Sequence, residues 1–295
     1  MRTLPPSLHL AVGSTVSRPG DIAGNLNQIA QFAKIAGRDG VDLLLTPEMS
    51  VSGYGNYPDV LATAERAGEG EIYRGLARIA RESQVILAAG FVEACGEKRH
   101  LAHYVVYPDG TFVVQRKHRV TPTERPLDPA CPLIPESPQD DCGQPADLDL
   151  QVFEVRGVRC GILICADHGI TDIYRRFAAE NIGLMLCPCG AGGVREERMA
   201  LSELGTAEGR ARYLELLKGL FFPGNAFILA NCIEHGMAFA EVNQGGYDGR
   251  HHYHAGHGMI INPFGEVLGF LHGIPVLERQ RPLYAHAQVD FADQV

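Results

Sequence analysis

Residues 161–169 read GILICADHG, a short apolar run that gives way to small and polar residues. This pattern is typical of a buried strand that ends in a tight turn. We therefore predict that Cys165 lies at the exit of a strand, where a rigid support can present its sulfur. A thiol in such a position is a candidate nucleophile.

Two other predicted strands end in charged residues. Residues 43–48 read LLLTPE and place Glu48 after an apolar run, and residues 112–117 read FVVQRK and place Lys117 at the end of another. A thiol, a carboxylate and an amine at three strand ends together predict the site of a cysteine hydrolase.

Strand and helix patterns alternate along the chain. Asp21 is a predicted N-cap and Gly37 a predicted C-cap of the first helix. The predicted helices are 21–37, 69–82, 171–180 and 196–220; the predicted strands include 8–12, 41–46, 85–90, 182–186 and 227–231; hairpins are predicted at 103–114 and 258–268. This order favours an α/β fold with mixed sheets. No repeat or linker is evident, so one domain is expected over residues 1–295.

Composition limits the classes of protein. The chain has 295 residues, 45% of them apolar, and a formal net charge of −9. The basic residues do not cluster, which argues against nucleic acid as a partner. No apolar stretch has the length of a membrane span, and the first residues lack the apolar core of a secretory signal. We therefore expect a soluble, cytoplasmic protein without a membrane partner.

The eight cysteines do not suggest a disulfide framework. Cys160, Cys187 and Cys232 lie within apolar runs, where a free cysteine behaves as a small buried hydrophobe. Cys187 and Cys189 are spaced too closely for the usual CxxC redox or zinc pair. We expect buried free thiols.

Four histidines, at positions 251, 252, 254 and 257, invite a metal-site interpretation. They lack a cysteine or carboxylate partner at ligand spacing, so a pocket-rim or interface loop is favoured. No metal and no cofactor is expected.

Three separated motifs resemble those of the nitrilase (carbon–nitrogen hydrolase) superfamily. They are Pro47–Tyr54, then Arg116-Lys117 followed by Glu124, then Cys165-Ala166-Asp167, and the resemblance covers roughly residues 8 to 270. It implies a four-layered α-β-β-α sandwich and association into at least a homodimer. It also implies Cys165 as nucleophile, Glu48 as general base, Lys117 as electrostatic stabiliser, and Glu124 as a residue that positions lysine and substrate.

Five further residues are expected at the substrate pocket: Tyr54, Ala166, Asp167, His168 and Ala191. The N–H of Ala166 is a candidate oxyanion donor, and the glycines beside Ala191 would let a substrate approach the backbone. Asp167 either reaches the pocket or braces the turn, and Tyr54 either lines the pocket or packs beside the Glu48 loop. The long loop 122–149 is predicted to cover the pocket mouth.

The residues after Cys165 disfavour two classes of substrate. N-carbamoyl amino acid hydrolases commonly carry arginine where this chain has His168 and Gly169, and nitrilases proper usually carry Trp-Glu where it has Ala166-Asp167. We therefore expect hydrolysis of a small amide or carbamoyl (ureido) compound through a cysteine thioester. Arg175, Arg195 and Arg198 could still supply a carboxylate clamp. Nitrile hydrolysis by the same Cys-Glu-Lys site, or a non-catalytic small-molecule-binding protein, remain alternatives.

Overall fold

The computed structural model describes residues 7–129, 131, 148–190, 202–203, 206–209, 211–212, 227–250, 253–271 and 283–291. Two six-stranded sheets dominate it. The first contains β1 (Ser7–Ser14), β2 (Leu43–Leu45), β3 (Ile86–Cys95), β4 (Lys98–Val106), β5 (Phe112–Arg116) and β14 (Leu283–Asp290). The second contains β6 (Val152–Val155), β7 (Val158–Ile162), β8 (Leu184–Cys189), β9 (Ala238–Asn243), β12 (Gly258–Ile261) and β13 (Val267–Leu271).

Strand direction explains where the site forms. The order is β14-β1-β2-β3-β4-β5 in the first sheet and β13-β12-β9-β8-β7-β6 in the second. In the first sheet β1, β2 and β3 run parallel, and in the second β7, β8 and β9 do so. Because β7 and β8 are parallel neighbours, the segments that follow them leave the second sheet at the same end. The residue after β8 meets the turn after β2 of the first sheet, where the N–H of Gly190 donates to Glu48.

Helices cover the outer face of each sheet. Helices α1 (Ile22–Arg38) and α3 (Glu71–Ser83) share an apolar cluster with the first sheet, and the short α2 (Pro58–Ala62) lies between them in sequence. Helix α4 (Thr171–Ala179) and a helix at 227–234, α5, share another cluster with the second sheet.

The two sheets pack against each other through a core that includes Leu10, Leu45, Leu186 and Val242. The layers are therefore helix, sheet, sheet and helix, and the mixed-sheet α/β sandwich is confirmed. A separate hairpin of β10 (Gly245–Tyr247) and β11 (Tyr253–Ala255) lies outside both sheets.

The first helix begins as predicted but ends later. The Asp21 side chain accepts a hydrogen bond from the N–H of Gly24 at 2.9 Å, as an N-cap does. The C-cap prediction at Gly37 is wrong, because the helix continues to Arg38 and Asp39 caps it. Gly37 has another use: a Cβ there would lie 2.4 Å from the carbonyl oxygen of Ser83, so the glycine lets α1 approach the end of α3.

The prediction of a strand at 227–231 is also wrong, since these residues begin α5. A five-residue apolar run does not separate a strand from a buried helix. Ile228 and Cys232 are buried four residues apart, which is helical spacing, and the Phe227 ring lies 6.1 Å from that of Tyr174 on α4.

Other predicted elements are confirmed with shifted ends: the helices α3 and α4, the strands β2, β3 and β8, and the hairpins β4–β5 and β12–β13. The predicted helix at 196–220 lies mostly outside the described residues, as does much of the loop 122–149. Within the described part of the chain, no helix is both long and apolar enough to cross a bilayer. The seven described cysteines are free, and Cys160, Cys187 and Cys232 are buried, as expected.

Candidate active site

A buried lysine lies between two buried carboxylates. The Nζ atom of Lys117 donates to Glu48 Oε1 at 2.6 Å and to Glu124 Oε2 at 2.8 Å. The side chain of Lys117 is fully buried, and those of Glu48 and Glu124 are 2% and 1% exposed. Glu48, Lys117 and Glu124 therefore form one contiguous group, although Glu48 lies 69 residues from Lys117 in the sequence.

The turn after β2 orients Glu48. Met49 adopts a positive φ of 53°, a conformation that non-glycine residues rarely take. A Cβ at Gly90 would lie 2.1 Å from the backbone nitrogen of Met49, so only glycine permits this close approach of β3 to the turn. The second carboxylate oxygen of Glu48, Oε2, accepts the backbone N–H of Gly190 at 3.0 Å, which fixes the carboxylate between two donors.

Glu124 is fixed by donors on both oxygens. The Tyr54 hydroxyl donates to Oε1 at 2.6 Å, and the N–H of Thr121 donates to Oε2 at 2.8 Å. Tyr54 is itself buried, with the His254 ring edge-on at 5.6 Å. Glu124 thus holds Lys117 in place from the side opposite Glu48.

Cys165 opens a 3-10 helix, Cys165–Gly169, three residues after β7 ends. Its φ of 47° is positive, and strained backbone of this kind is concentrated at functional sites. The predicted position at a strand exit is confirmed. The Cys165 residue is partly exposed, in contrast to the buried carboxylates.

Asp167 joins the cysteine turn to the lysine segment. Its carboxylate accepts the N–H groups of Ile164, His118 and Arg119 at 3.2, 3.0 and 2.8 Å, and the residue is fully buried. These backbone donors occupy the carboxylate, so the observed contacts are those of a residue that braces the turn. The brace connects the residues before Cys165 to the residues after Lys117.

The remaining predicted pocket residues divide into three cases. Ala166 follows Cys165 directly. The Nδ1 atom of His168 lies 2.7 Å from the carbonyl oxygen of Cys165, and the His168 carbonyl accepts the Tyr174 hydroxyl at 2.9 Å, so His168 stabilises the turn. Ala191 lies outside the described residues, as do His251 and His252 of the histidine cluster.

Sequence reasoning missed two contributors at the end of β8. The N–H of Gly190 holds Glu48, and a Cβ there would lie 2.4 Å from the Tyr54 ring, which explains the glycine. Cys189 belongs to the apolar cluster against which Cys165 packs. The only signal in the sequence was the unusual Cys-Pro-Cys-Gly run at the end of an apolar strand.

Burial and charge shift the pKa values of the three buried groups in different directions. Burial raises the pKa of Glu48 well above the ordinary 4.5, although Lys117 opposes the shift. Burial alone would lower the pKa of Lys117, but the two carboxylates outweigh it and raise that pKa. For Glu124 burial is outweighed by Lys117 and by its hydrogen bonds, so its pKa is lowered. The group thus combines a charged Lys117–Glu124 pair with a carboxylate that can take up a proton.

The pKa of Cys165 is raised, first by its hydrogen bond with Cys189 and then by burial, with Lys117 opposing. The resting thiol therefore keeps its proton at neutral pH. Attack by its sulfur requires a base that removes the proton, and the pKa shift of Glu48 makes it suited to that task.

These shifts predict a pH dependence. The value of kcat/KM should fall as the pH is lowered, because protonated Glu48 cannot act as base, and the midpoint of this acid limb should lie above 4.5. Glu124→Gln should move the limb to lower pH, since the Glu124 charge raises the pKa of Glu48. Initial rates across the pH range would test this. A limb at or below 4.5, or one that Glu124→Gln leaves in place, would contradict it.

Within the described ranges no group of three or more His, Cys, Asp or Glu side chains is arranged to hold a metal ion.

Comparisons with known proteins show which family the chain resembles. The sequence model of the family described as carbon-nitrogen hydrolase matches residues 9–273. A nitrilase of Pyrococcus abyssi is 25% identical over 166 residues, 56% of this chain and 58% of that protein, so the chain spans less than two thirds of that relative. An (R)-stereoselective amidase of Pseudomonas sp. is 26% identical over 255 residues, 85% of this chain and 76% of the relative.

Solved structures share the fold. One is a mutant of the amidase from Nesterenkonia sp. AN1 with the acetamide moiety of fluoroacetamide added covalently at its active-site cysteine. It superposes with a TM-score of 0.71 at 20% identity, and the match covers 99% of this chain and 94% of that one. Because the family model covers nearly the whole chain, this protein belongs to the carbon–nitrogen hydrolase family, within the nitrilase superfamily.

Proposed function

We propose that this protein hydrolyses a non-peptide carbon–nitrogen bond of a small amide or carbamoyl compound. The observation that carries the proposal is the buried Glu48–Lys117–Glu124 group, which interacts electrostatically with the Cys165 thiol. A purely binding protein would have no need of a carboxylate with a raised pKa beside a thiol at a strained turn.

In the first step the Cys165 sulfur attacks the substrate carbonyl carbon while Glu48 takes the thiol proton. General-base assistance of this kind is typically worth about 10²–10⁴ in rate. Negative charge develops on the carbonyl oxygen, where Lys117 Nζ and the N–H of Ala166 are the candidate donors. One such donor typically contributes roughly 3 kcal/mol.

In the second step Glu48 returns its proton to the leaving nitrogen, and ammonia or an amine departs. The acyl group stays on Cys165 as a thioester. Glu48 then takes a proton from water, whose oxygen attacks the thioester and releases the acid together with the free thiol. One carboxylate therefore handles the proton in both halves of the reaction.

Glu124 and Tyr54 support these steps without taking the proton. Glu124 neutralises and orients Lys117, and the Tyr54 hydroxyl bond leaves Glu124 little freedom to rotate. Because an oxyanion donor acts only where the charge develops, this fixation contributes to the stabilisation that Lys117 can supply.

Small amides whose far end is neutral or positively charged are the proposed substrates over N-carbamoyl amino acids. His168 and Gly169 provide no guanidinium, and the His168 ring is already engaged with the Cys165 carbonyl, so neither supplies the bidentate clamp that a carboxylate would favour. We expect primary amides or carbamoyl amines to exceed N-carbamoyl amino acids by at least about tenfold in kcat/KM, or about 1.4 kcal/mol of differential transition-state binding.

A screen for released ammonia tests both the activity and the preference. Primary amides, N-carbamoyl amines, N-carbamoyl amino acids and nitriles would be compared at matched concentration. Release from nitriles alone would favour nitrile hydrolysis by the same residues. Binding of amides without any ammonia release would favour the binding protein and overturn the proposal.

A further inference from the structure

A further glutamate, Glu241, lies on strand β9 near Cys189. Parallel strands β8 and β9 pair so that Cys187 lies opposite Glu241 and Cys189 opposite Asn243. Residues two apart on a strand share a face, so Glu241 and Cys189 are diagonal neighbours on the same side of the sheet. The Cys189 sulfur lies 3.8 Å from Glu241 Oε1, and Cys165 packs against the apolar cluster that contains Cys189.

Glu241 is buried, and only one of its two carboxylate oxygens has a partner among the described residues. The residue is 3% exposed, and its Oε1 atom lies 3.0 Å from His257 Nε2 as well as near Cys189. Its Oε2 atom is buried and has no hydrogen-bond partner among the residues that the structure describes. A buried polar atom without a partner is destabilising, and more so when it carries charge. The same face of the sheet holds Phe239 and Met259, so an apolar side chain would suit this position better for stability alone.

We propose that Glu241 is a substrate-binding residue whose free Oε2 accepts a hydrogen bond from a protonated amine on the acyl side of the substrate. This inference rests on the proposed amide hydrolysis and narrows it to amides that carry a second, cationic nitrogen. The unpaired Oε2 is the acceptor, and the contact of Oε1 with Cys189, in the cluster that packs against Cys165, links Glu241 to the reaction.

Charge favours an ammonium group over other donors. Among the described residues, His257 is the one basic side chain within ion-pair distance of Glu241, and Lys117 is already engaged by Glu48 and Glu124. Hydrogen bonds between an ammonium and a carboxylate are roughly twice as strong as neutral ones. A substrate carboxylate at the same place would be repelled, which agrees with the lack of an arginine clamp after Cys165.

Distance favours a short substrate. Cys189 lies 3.8 Å from Glu241 Oε1 and belongs to the apolar cluster against which Cys165 packs, so Glu241 is close to the nucleophile. The carbonyl carbon must lie next to the Cys165 sulfur, so only a short carbon chain fits between that carbon and an amine at Glu241 Oε2. Glycinamide and β-alaninamide have chains of this kind, and propionamide and butyramide are their isosteres with a methyl group in place of the ammonium.

The test compares each amino amide with its methyl isostere at a pH where the amine is protonated. For at least one pair, the wild-type protein should show kcat/KM at least about tenfold higher for the amino amide. In Glu241→Gln this ratio should fall at least about tenfold, chiefly through KM, because the lost contact is made in the bound substrate. Glu82→Gln, which removes an exposed carboxylate from α3, is the matched control and should leave the ratio unchanged.

Equal kcat/KM for the amino amide and its isostere in every pair, measured with the wild-type protein, would overturn the inference while leaving amide hydrolysis in place. This comparison uses the wild-type protein alone, so it does not depend on whether a variant folds. A ratio that Glu241→Gln leaves unchanged would overturn it as well. If no amide is hydrolysed, the proposed function fails. Calorimetric titration of Cys165→Ala with the amino amide and with its isostere then tests the Glu241 subsite separately. The amino amide should then bind more tightly than its isostere, and this difference should be lost in Cys165→Ala/Glu241→Gln; equal binding would overturn the inference.

Discussion

Cys165→Ala is expected to lower amide turnover by on the order of 10⁶-fold, the scale seen when a catalytic nucleophile is removed from a group that acts as a unit. Alanine has no atom that can form the acyl bond, and no neighbouring thiol occupies the strained turn. Cys189 belongs to the cluster against which Cys165 packs, but it lies on β8 and does not take that position. Steady-state ammonia release measures the loss.

The fold should survive this substitution. Asp167, not the thiol, holds the cysteine turn through three backbone N–H groups. Circular dichroism and the Tm should therefore remain close to those of the wild-type protein. The matched control is Cys95→Ala, which removes an exposed thiol and should retain full activity. Activity in Cys165→Ala comparable to that of the control would contradict the assignment.

Glu48→Gln is expected to lower kcat by about 10²–10⁴-fold or more, because the same carboxylate serves acylation and deacylation. The carboxylate accepts from Lys117 on one oxygen and from Gly190 on the other, whereas glutamine has a single acceptor oxygen. One of the two donors must therefore face the amide nitrogen, so the free energy of unfolding should fall as well.

Glu124→Gln separates the two glutamates. It keeps the base but loosens Lys117, so its kcat should fall less than that of Glu48→Gln. Rapid-mixing measurements would compare acylation and deacylation rates in both variants. A larger loss in Glu124→Gln, or near wild-type kcat in Glu48→Gln, would identify Glu124 as the base instead.

Much of the site could be predicted because each reactive residue ends a recognisable local pattern. Apolar runs before Glu48, Lys117 and Cys165 predicted strand ends. Glu124 lies in an irregular segment with no such pattern, and the family resemblance alone pointed to it. The structure then placed it 2.8 Å from Lys117.

What could not be predicted depends on pairing between distant strands. Glu241 follows Cys189 by 52 residues, and only the register of β8 with β9 makes them neighbours. The sequence also left two roles open for Asp167. A carboxylate two residues after a nucleophile can face either the substrate or the backbone of the turn. The erroneous strand at 227–231 has a similar cause, because short apolar runs fit a buried helix equally well.

The most direct test of the account is the intact mass of the protein mixed rapidly with a hydrolysable amide and quenched in acid. We predict a transient mass increase equal to the acyl group of the substrate, which peptide mapping locates at Cys165 and which is absent from Cys165→Ala. An acyl group on another residue, formed and lost at the rate of turnover, would contradict the account.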